Sequence, residues 1–372
     1  MKRSVISTVL IGLLLSSVSL DAQQYFNNIN TPKEENDILV LTHPTVYNLK
    51  TFMSLIEKGL IDLSDYQLVG VYYQKERYDY SRTDAFLDTA NSLPLPVHLH
   101  QVKDTLEANS LYTKNPLTDD FRKIFEFSNG IIFFGGPDMP PSTYGEKTNL
   151  LTSVYDPQRH YFELSFLYHL LGGKQNPDYQ GLMTDDQDYL VYGFCLGMQS
   201  MNVATGGTLV QDIPSVLYDL RYAEEVIAQD INKKHRNYQR VISIDDALLN
   251  GNFHQIHFVA DSYLKSFSKE QILPAVYSNH HQAVKTLGKG FEKIATSLDE
   301  KVPEAIQHKK YKNVKGVQFH PEAKLLYDSS IKFKLTPEDT SFTTGVEMLE
   351  DAFSKEFHEA FWQDFSKRLN EQ

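Results

Sequence analysis

The sequence predicts an α/β protein with a mainly parallel central sheet and helices on both faces. Three observations carry this. Short apolar runs of strand length alternate with longer amphipathic runs of helix length, the pattern of repeated βαβ units. Two of the apolar runs end in glycine turns, Gly135-Gly136-Pro137 and Gly193-Phe194-Cys195-Leu196-Gly197. In open sheets of this kind, ligands bind beyond the carboxyl ends of the strands, which is where both turns fall.

Taken in order, Ile38-Leu39-Val40-Leu41 reads as a buried strand, followed by a helix over Leu49 to Leu60. Leu68 to Tyr73 is a second strand, and Pro96 to Leu99 a third, reached through a helix around Asp84 to Ala90. Phe121 to Phe127 is helical, and Gly130 to Phe134 is a fourth strand running into Gly135-Gly136-Pro137. Phe162, Phe166 and Leu170 recur at four-residue spacing in Gln158 to Leu171, which marks an amphipathic helix. Tyr189 to Tyr192 then gives a strand, the cysteine turn and a further helix. Gly206-Gly207 reads as the end of that helix. Val241 to Ile244, Gln255 to Val259, Ala275 to Ser278 and Val314 to Phe319 read as strands. The last helix carries Phe353, Phe357, Phe361 and Phe365 at i, i+4 spacing, a core-facing stripe.

Composition narrows the partners. The 372-residue chain has a formal net charge of -12, which argues against nucleic acid and against anionic membrane surfaces. Met1-Lys2-Arg3, the apolar run from Val5 to Leu20 and the small-residue exit at Leu20-Asp21-Ala22 predict a secretory signal peptide over residues 1–22. Export to the periplasm or beyond follows, with no membrane span after cleavage. Residues 23–36 read as a flexible leader. Residues 37–372 read as a single domain, with no repeat and no Gly/Ser linker. The chain has one cysteine, Cys195, so in an oxidising compartment its thiol has no internal disulfide partner.

The chemistry gathers at strand ends. A Gly-x-Cys-x-Gly turn between strand and helix is the thiol version of a nucleophile elbow. Cys195 at a helix N-terminus gains a favourable dipole, and it still needs a base with an orienting acceptor. His320 in Gly316-Val317-Gln318-Phe319-His320-Pro321-Glu322 ends a strand. If the chain stays extended through Pro321, His320 and Glu322 point the same way. Arg159 and Glu163 stand one helical turn apart, the spacing of an ordinary helix ion pair worth roughly a few tenths of a kcal/mol. His98 and His100 share a strand face, and His254-x-x-His257 is similar in style. Neither pair has a third ligand by spacing, so no metal and no cofactor is predicted.

These turns together resemble the class I glutamine amidotransferase-like superfamily. The run Asn202-Val203-Ala204-Thr205-Gly206-Gly207-Thr208-Leu209 with Gln211-Asp212, and the run Ser278-Asn279-His280-His281-Gln282, are similar more narrowly to the gamma-glutamyl hydrolase family, peptidase C26. Tyr144-Gly145-Glu146 fits the same pattern. The resemblance covers about residues 130 to 325. It implies a flavodoxin-like three-layer sandwich and a Cys195, His320, Glu322 triad acting on gamma-glutamyl amides of small molecules or peptides. It further implies backbone oxyanion donors at Gly136 and Leu196, and substrate-binding roles for Gly135, Gln199, His280 and Glu163. His281 reads as a surface-loop residue. Homodimerisation is implied by the resemblance alone.

The chain also departs from the pattern. The family's Arg-Asp pair is here Arg159-His160, the part up to about residue 125 matches poorly, and insertions stand near 221–251 and 326–345. Insertions on such scaffolds shape the site or a partner surface. Three functions stay open: an exported cysteine hydrolase, a glutaminase subunit of an amidotransferase, and a non-catalytic binding protein on the same fold.

Overall fold

The computed structural model describes residues 24–29, 37–90, 93–259, 262–267, 273–350 and 354–372. The signal peptide expected over residues 1–22 lies outside them, as does Phe353. Part of the expected leader does not behave as one. A short helix α1 (Tyr25–Asn28) packs on the sheet edge. Phe26 is buried and its N–H donates to His100 Nδ1 at 3.3 Å, while Tyr25 stacks on His98. The two histidines of that strand face therefore dock the N-terminal segment.

From residue 37, strand and helix alternate. β1 (Asp37–Thr42) leads to α2 (Val46–Glu57), β2 (Tyr66–Tyr73) to α3 (Ser81–Thr89), and β3 (Val97–Val102) to α4 (Thr118–Glu126). β4 (Gly130–Phe133) is followed by α5 (Pro157–Leu171), and β5 (Leu190–Phe194) by α6 (Leu196–Ala204). The caps explain where two of these helices start. Thr45 accepts from the Asn48 N–H, and Asp156 accepts from Gln158 and Arg159, with Pro157 at the first helical position.

The second half is less regular: β6 (Thr208–Val210), α7 (Ile213–Leu217), α8 (Ala223–Ile227), α9 (Gln239–Ile242), then β7 (Asn252–Phe258), β8 (Ala275–Ser278), β9 (Ala283–Thr286), β10 (Phe291–Ser297), β11 (Pro303–His308) and β12 (Val314–Val317). A small pair, β13 (Lys332–Phe333) with β14 (Thr343–Thr344), precedes α10 (Gly345–Glu350) and α11 (Lys355–Asn370).

The ten-stranded sheet has the order β3-β2-β1-β4-β5-β12-β11-β10-β7-β8. The strands from β3 through β12 in that order are parallel, and β11, β10, β7 and β8 add an antiparallel flank. Parallel strands covered on both faces must be apolar on both. Val40, Val69, Ile131, Phe133 and Val191 face one layer with α4, α5 and α6. Their neighbours Leu39, Leu68, Ile132 and Tyr192 face the other with α2 and α11. Phe357, Phe361 and Phe365 lie in that second layer, as their stripe predicts.

Val241 to Ile244, expected as a strand, is instead the end of α9 and its exit, with Val241, Ile242 and Ile244 exposed. β-branched residues favour strands only where a partner strand covers them, and this run sits in the insertion with none. Both insertions pack on each other through a cluster containing Leu249, Phe253, Leu326 and Phe333.

Candidate active site

β5 ends at Phe194, and Cys195 then turns the chain into α6 with φ 51° and ψ -104°. A positive φ on a residue with a Cβ is costly and holds only where the surroundings fix it. Here the Cys195 N–H donates to the Val317 carbonyl at 2.8 Å. The flanking glycines make room: a Cβ at Gly193 would strike the Gly197 backbone, and one at Gly197 would strike the Phe133 carbonyl.

His320 follows β12, the strand beside β5. Its N–H donates to Tyr277 O at 2.8 Å, and its Nδ1 pairs with Glu322 Oε1 at 2.8 Å. Burial pushes this imidazole down, but the Glu322 carboxylate and the neighbouring Cys195 sulphur outweigh burial and hold it well above its ordinary value. The Pro321 carbonyl accepts from Tyr327 Oη at 2.7 Å and from the Trp362 indole at 3.3 Å, so α11 braces the turn from behind. Gln318 Nε2 stands 3.6 Å from Cys195 Sγ.

Gly135 completes the junction. A Cβ there would lie 2.8 Å from His320 Cε1 and 3.5 Å from Cys195 Cβ. Beneath this turn lies Arg159, 2 % exposed, not the surface pair its spacing suggests. Its Nε donates to Glu163 Oε1 at 2.9 Å and its Nη2 to the Phe134 and Gly135 carbonyls at 2.9 and 3.0 Å. In a trans peptide, a Gly135 oxygen held inward turns the Gly136 N–H the other way. Neither the Gly136 nor the Leu196 N–H has a hydrogen-bond partner among the described residues.

A cavity of about 400 Å³ opens over this junction. Cys195, His320, Glu322, Gly135 and Gly136 line it, with Arg159, His43, Tyr47, Asn48, Asn279 and Asn250, the last from the first insertion. Behind its wall, Glu76 bonds to His43 and to Tyr80 and accepts from the Tyr73 N–H. Burial pushes Glu76 up to about 7 and His43 down to about 3.

The substrate-binding expectations other than Gly135 need correction, because none of those side chains reaches the cavity. Gln199 is buried, and its amide donates to Gln282 O at 3.2 Å and Gln318 Oε1 at 3.1 Å. Glu163 serves Arg159 from below. His280 turns into a buried cluster with His235, His254 and Glu304. His281 is not a loop bystander either. It bridges Asp212 and Asp138, each at 3.0 Å, and so ties the segment after Gly136-Pro137 to the start of α7.

Spacing alone did not expose His43, Gln318, Arg159 or Asn250. A usable signal existed for two of them. His43 follows a strand end just as Gly135 and Cys195 do, and strand alternation places Gln318 on the His320 side.

The sequence profile of the family described as Peptidase C26 matches residues 98–322. The glutamine amidotransferase-like protein YvdE of Lactococcus lactis subsp. lactis (strain IL1403) is 29% identical over 205 residues, covering 55% of this chain and 70% of that protein. The glutamine amidotransferase-like protein RP404 of Rickettsia prowazekii (strain Madrid E) is 27% identical over 246 residues, covering 59% and 78%. Among solved structures, the glutamine amidotransferase from Methylobacillus flagellatus aligns with a TM-score of 0.39 at 14% identity, over 83% of this chain and 95% of that one.

Proposed function

The chain belongs to the peptidase C26 family, a class I glutamine amidotransferase-like hydrolase, and from that premise we propose that it cleaves gamma-glutamyl amide bonds of small molecules or peptides. Cys195 would attack the amide carbonyl while His320 takes the thiol proton. The tetrahedral oxyanion would be met by the Gly136 and Leu196 N–H groups. Collapse breaks the C–N bond, and His320 returns its proton to the leaving amine. Water, deprotonated by His320, then attacks the thioester and frees the gamma-carboxylate and the thiol. Glu322 orients the imidazole and stabilises its charged form.

The observation that carries this reading is the meeting of His320 with Glu322 at 2.8 Å and with Cys195 beside Gly135. The glutaminase alternative lacks such a specific observation, since ammonia delivery needs a synthetase partner. Export belongs to the proposal on the composition of residues 1–22, and N-terminal sequencing of the chain recovered from its host tests it.

The decisive assay incubates the protein with gamma-glutamyl anilides, gamma-glutamyl peptides and glutamine, alongside Cys195→Ala. Amine release from the first two, abolished in the variant, is the expected result. Turnover of glutamine alone would favour the glutaminase reading. No turnover, together with no alkylation of Cys195 by iodoacetamide near neutral pH, would overturn both.

A further inference from the structure

Next to the candidate active site but facing away from its cavity, four side chains from separated parts of the chain converge. His235 comes from the first insertion, His254 from β7, His280 from the segment after β8 and Glu304 from β11. Their exposures are 2 %, 2 %, 5 % and 0 %. One nitrogen or oxygen from each lies within 4.8 Å of all the others. Glu304 Oε1 stands 3.2 Å from His235 Nδ1 and 4.0 Å from His254 Nε2.

The cluster is close but unsatisfied. Both ring nitrogens of His235, Nε2 of His280 and both oxygens of Glu304 are buried without a hydrogen bond. Orphaned buried polar atoms are rare in folded proteins and ask for an occupant. The outward-facing nitrogens, in contrast, are anchored. His280 Nδ1 meets the Gln282 carbonyl at 2.9 Å and His254 Nδ1 meets the Gln255 carbonyl at 3.3 Å. A carbonyl can only accept, so both rings carry their proton on Nδ1 and aim the Nε2 lone pair inward. This is how metal-bound histidines are held. Burial also keeps the three imidazoles below their ordinary value, in the neutral form that ligates.

We propose that His235, His254, His280 and Glu304 form a closed structural site for a zinc-class divalent ion. Three imidazoles and one carboxylate suit that ion, and four protein ligands with no open position mark a structural role. Ligand atoms around zinc stand roughly 3.3 Å apart when the bonds are about 2.0 Å, so binding draws the cluster inward. The Ser278 hydroxyl, 2.8 Å from His254 Nε2, turns aside. The ion fastens the insertion to the antiparallel flank. Through the Gln282 carbonyl, which also accepts from Gln199, it stiffens the contacts behind Cys195.

The test uses the full chain without a histidine tag. Elemental analysis after gel filtration, and titration of the chelator-stripped protein with cobalt(II), are run on the wild type, on His235→Ala, on Glu304→Gln and on His257→Ala, an exposed histidine of the same strand. The expected result is about one bound ion per chain and intense visible cobalt bands of tetrahedral type, kept in His257→Ala and lost in the two cluster variants. Chelation should lower the melting temperature of the wild type. Folded wild-type protein that takes up no stoichiometric cobalt or zinc overturns the proposal, even if the cluster variants fail to fold. So does equal binding by folded His235→Ala.

Discussion

Cys195, His320 and Glu322 each sit in a turn whose residue types announce chemistry, and the structure brings all three to one cavity. Glu322→Gln keeps the shape of the His320–Glu322 pair but removes the charge that holds His320 up. On the proposed mechanism, kcat should fall roughly 10²- to 10⁴-fold with KM little changed, as for an orienting carboxylate, read by steady-state kinetics on a gamma-glutamyl anilide. His281 gives a prediction in pH. Burial works against its charge, but Asp138 and Asp212 win and raise its value above the ordinary 6.5. A folded-state value raised in this way contributes stability fully below 6.5 and loses it as pH rises through the raised value. The melting-temperature gap between wild type and His281→Gln should therefore be largest on the acid side and shrink in alkali. A gap constant with pH would contradict the charged bridge. The true places of His280, in a buried cluster, and of His281, between two aspartates, were not legible in sequence. Adjacent side chains leave a strand end in opposite directions, and only the neighbouring elements decide which one finds a cavity and which a cluster.

The elements differ in how plainly they announce themselves. α5 was legible from its phenylalanine and leucine spacing, but the status of Arg159 on it was not. An i, i+4 Arg–Glu pair looks the same in sequence whether it lies in water or under a sheet, and burial is a property of what packs above. That difference carries a large energetic consequence. Arg159→Met leaves Glu163 buried and uncompensated and should cost about 3–5 kcal/mol in urea denaturation. Arg159→Met with Glu163→Gln should recover part of that stability. Activity should stay low in the double variant, because the Gly135 carbonyl has lost the guanidinium that turns the Gly136 N–H over. The segment 283–308 carried no assignment in sequence. β9 and β10 include exposed Lys285, Thr286 and Lys293, and antiparallel strands half open to solvent lack the continuous apolar run that marks β1, β4 and β5.

At the scale of the whole molecule, the parallel half of the sheet was readable because strands buried on both faces have little freedom of composition. β7 and β8 of the antiparallel flank showed as apolar runs, but β9, β10 and β11 and the course of the insertions depend on long-range pairing that no local pattern encodes. The two halves are knitted by α11, which crosses from the C-terminal segment to the turn between His320 and Glu322. Its Trp362 is the chain's one tryptophan, 0 % exposed, and its indole meets both the Pro321 carbonyl and Tyr327 Oη. The protein thus carries an intrinsic fluorophore wired to the turn that holds His320 and Glu322. Alkylating Cys195 with iodoacetamide should change the tryptophan emission of the wild type and leave that of Cys195→Ala unaltered. Superimposable spectra before and after alkylation would show that the turn does not transmit the state of the thiol. A measurable change would let the state of the Cys195 thiol be followed in real time by light alone, without a label.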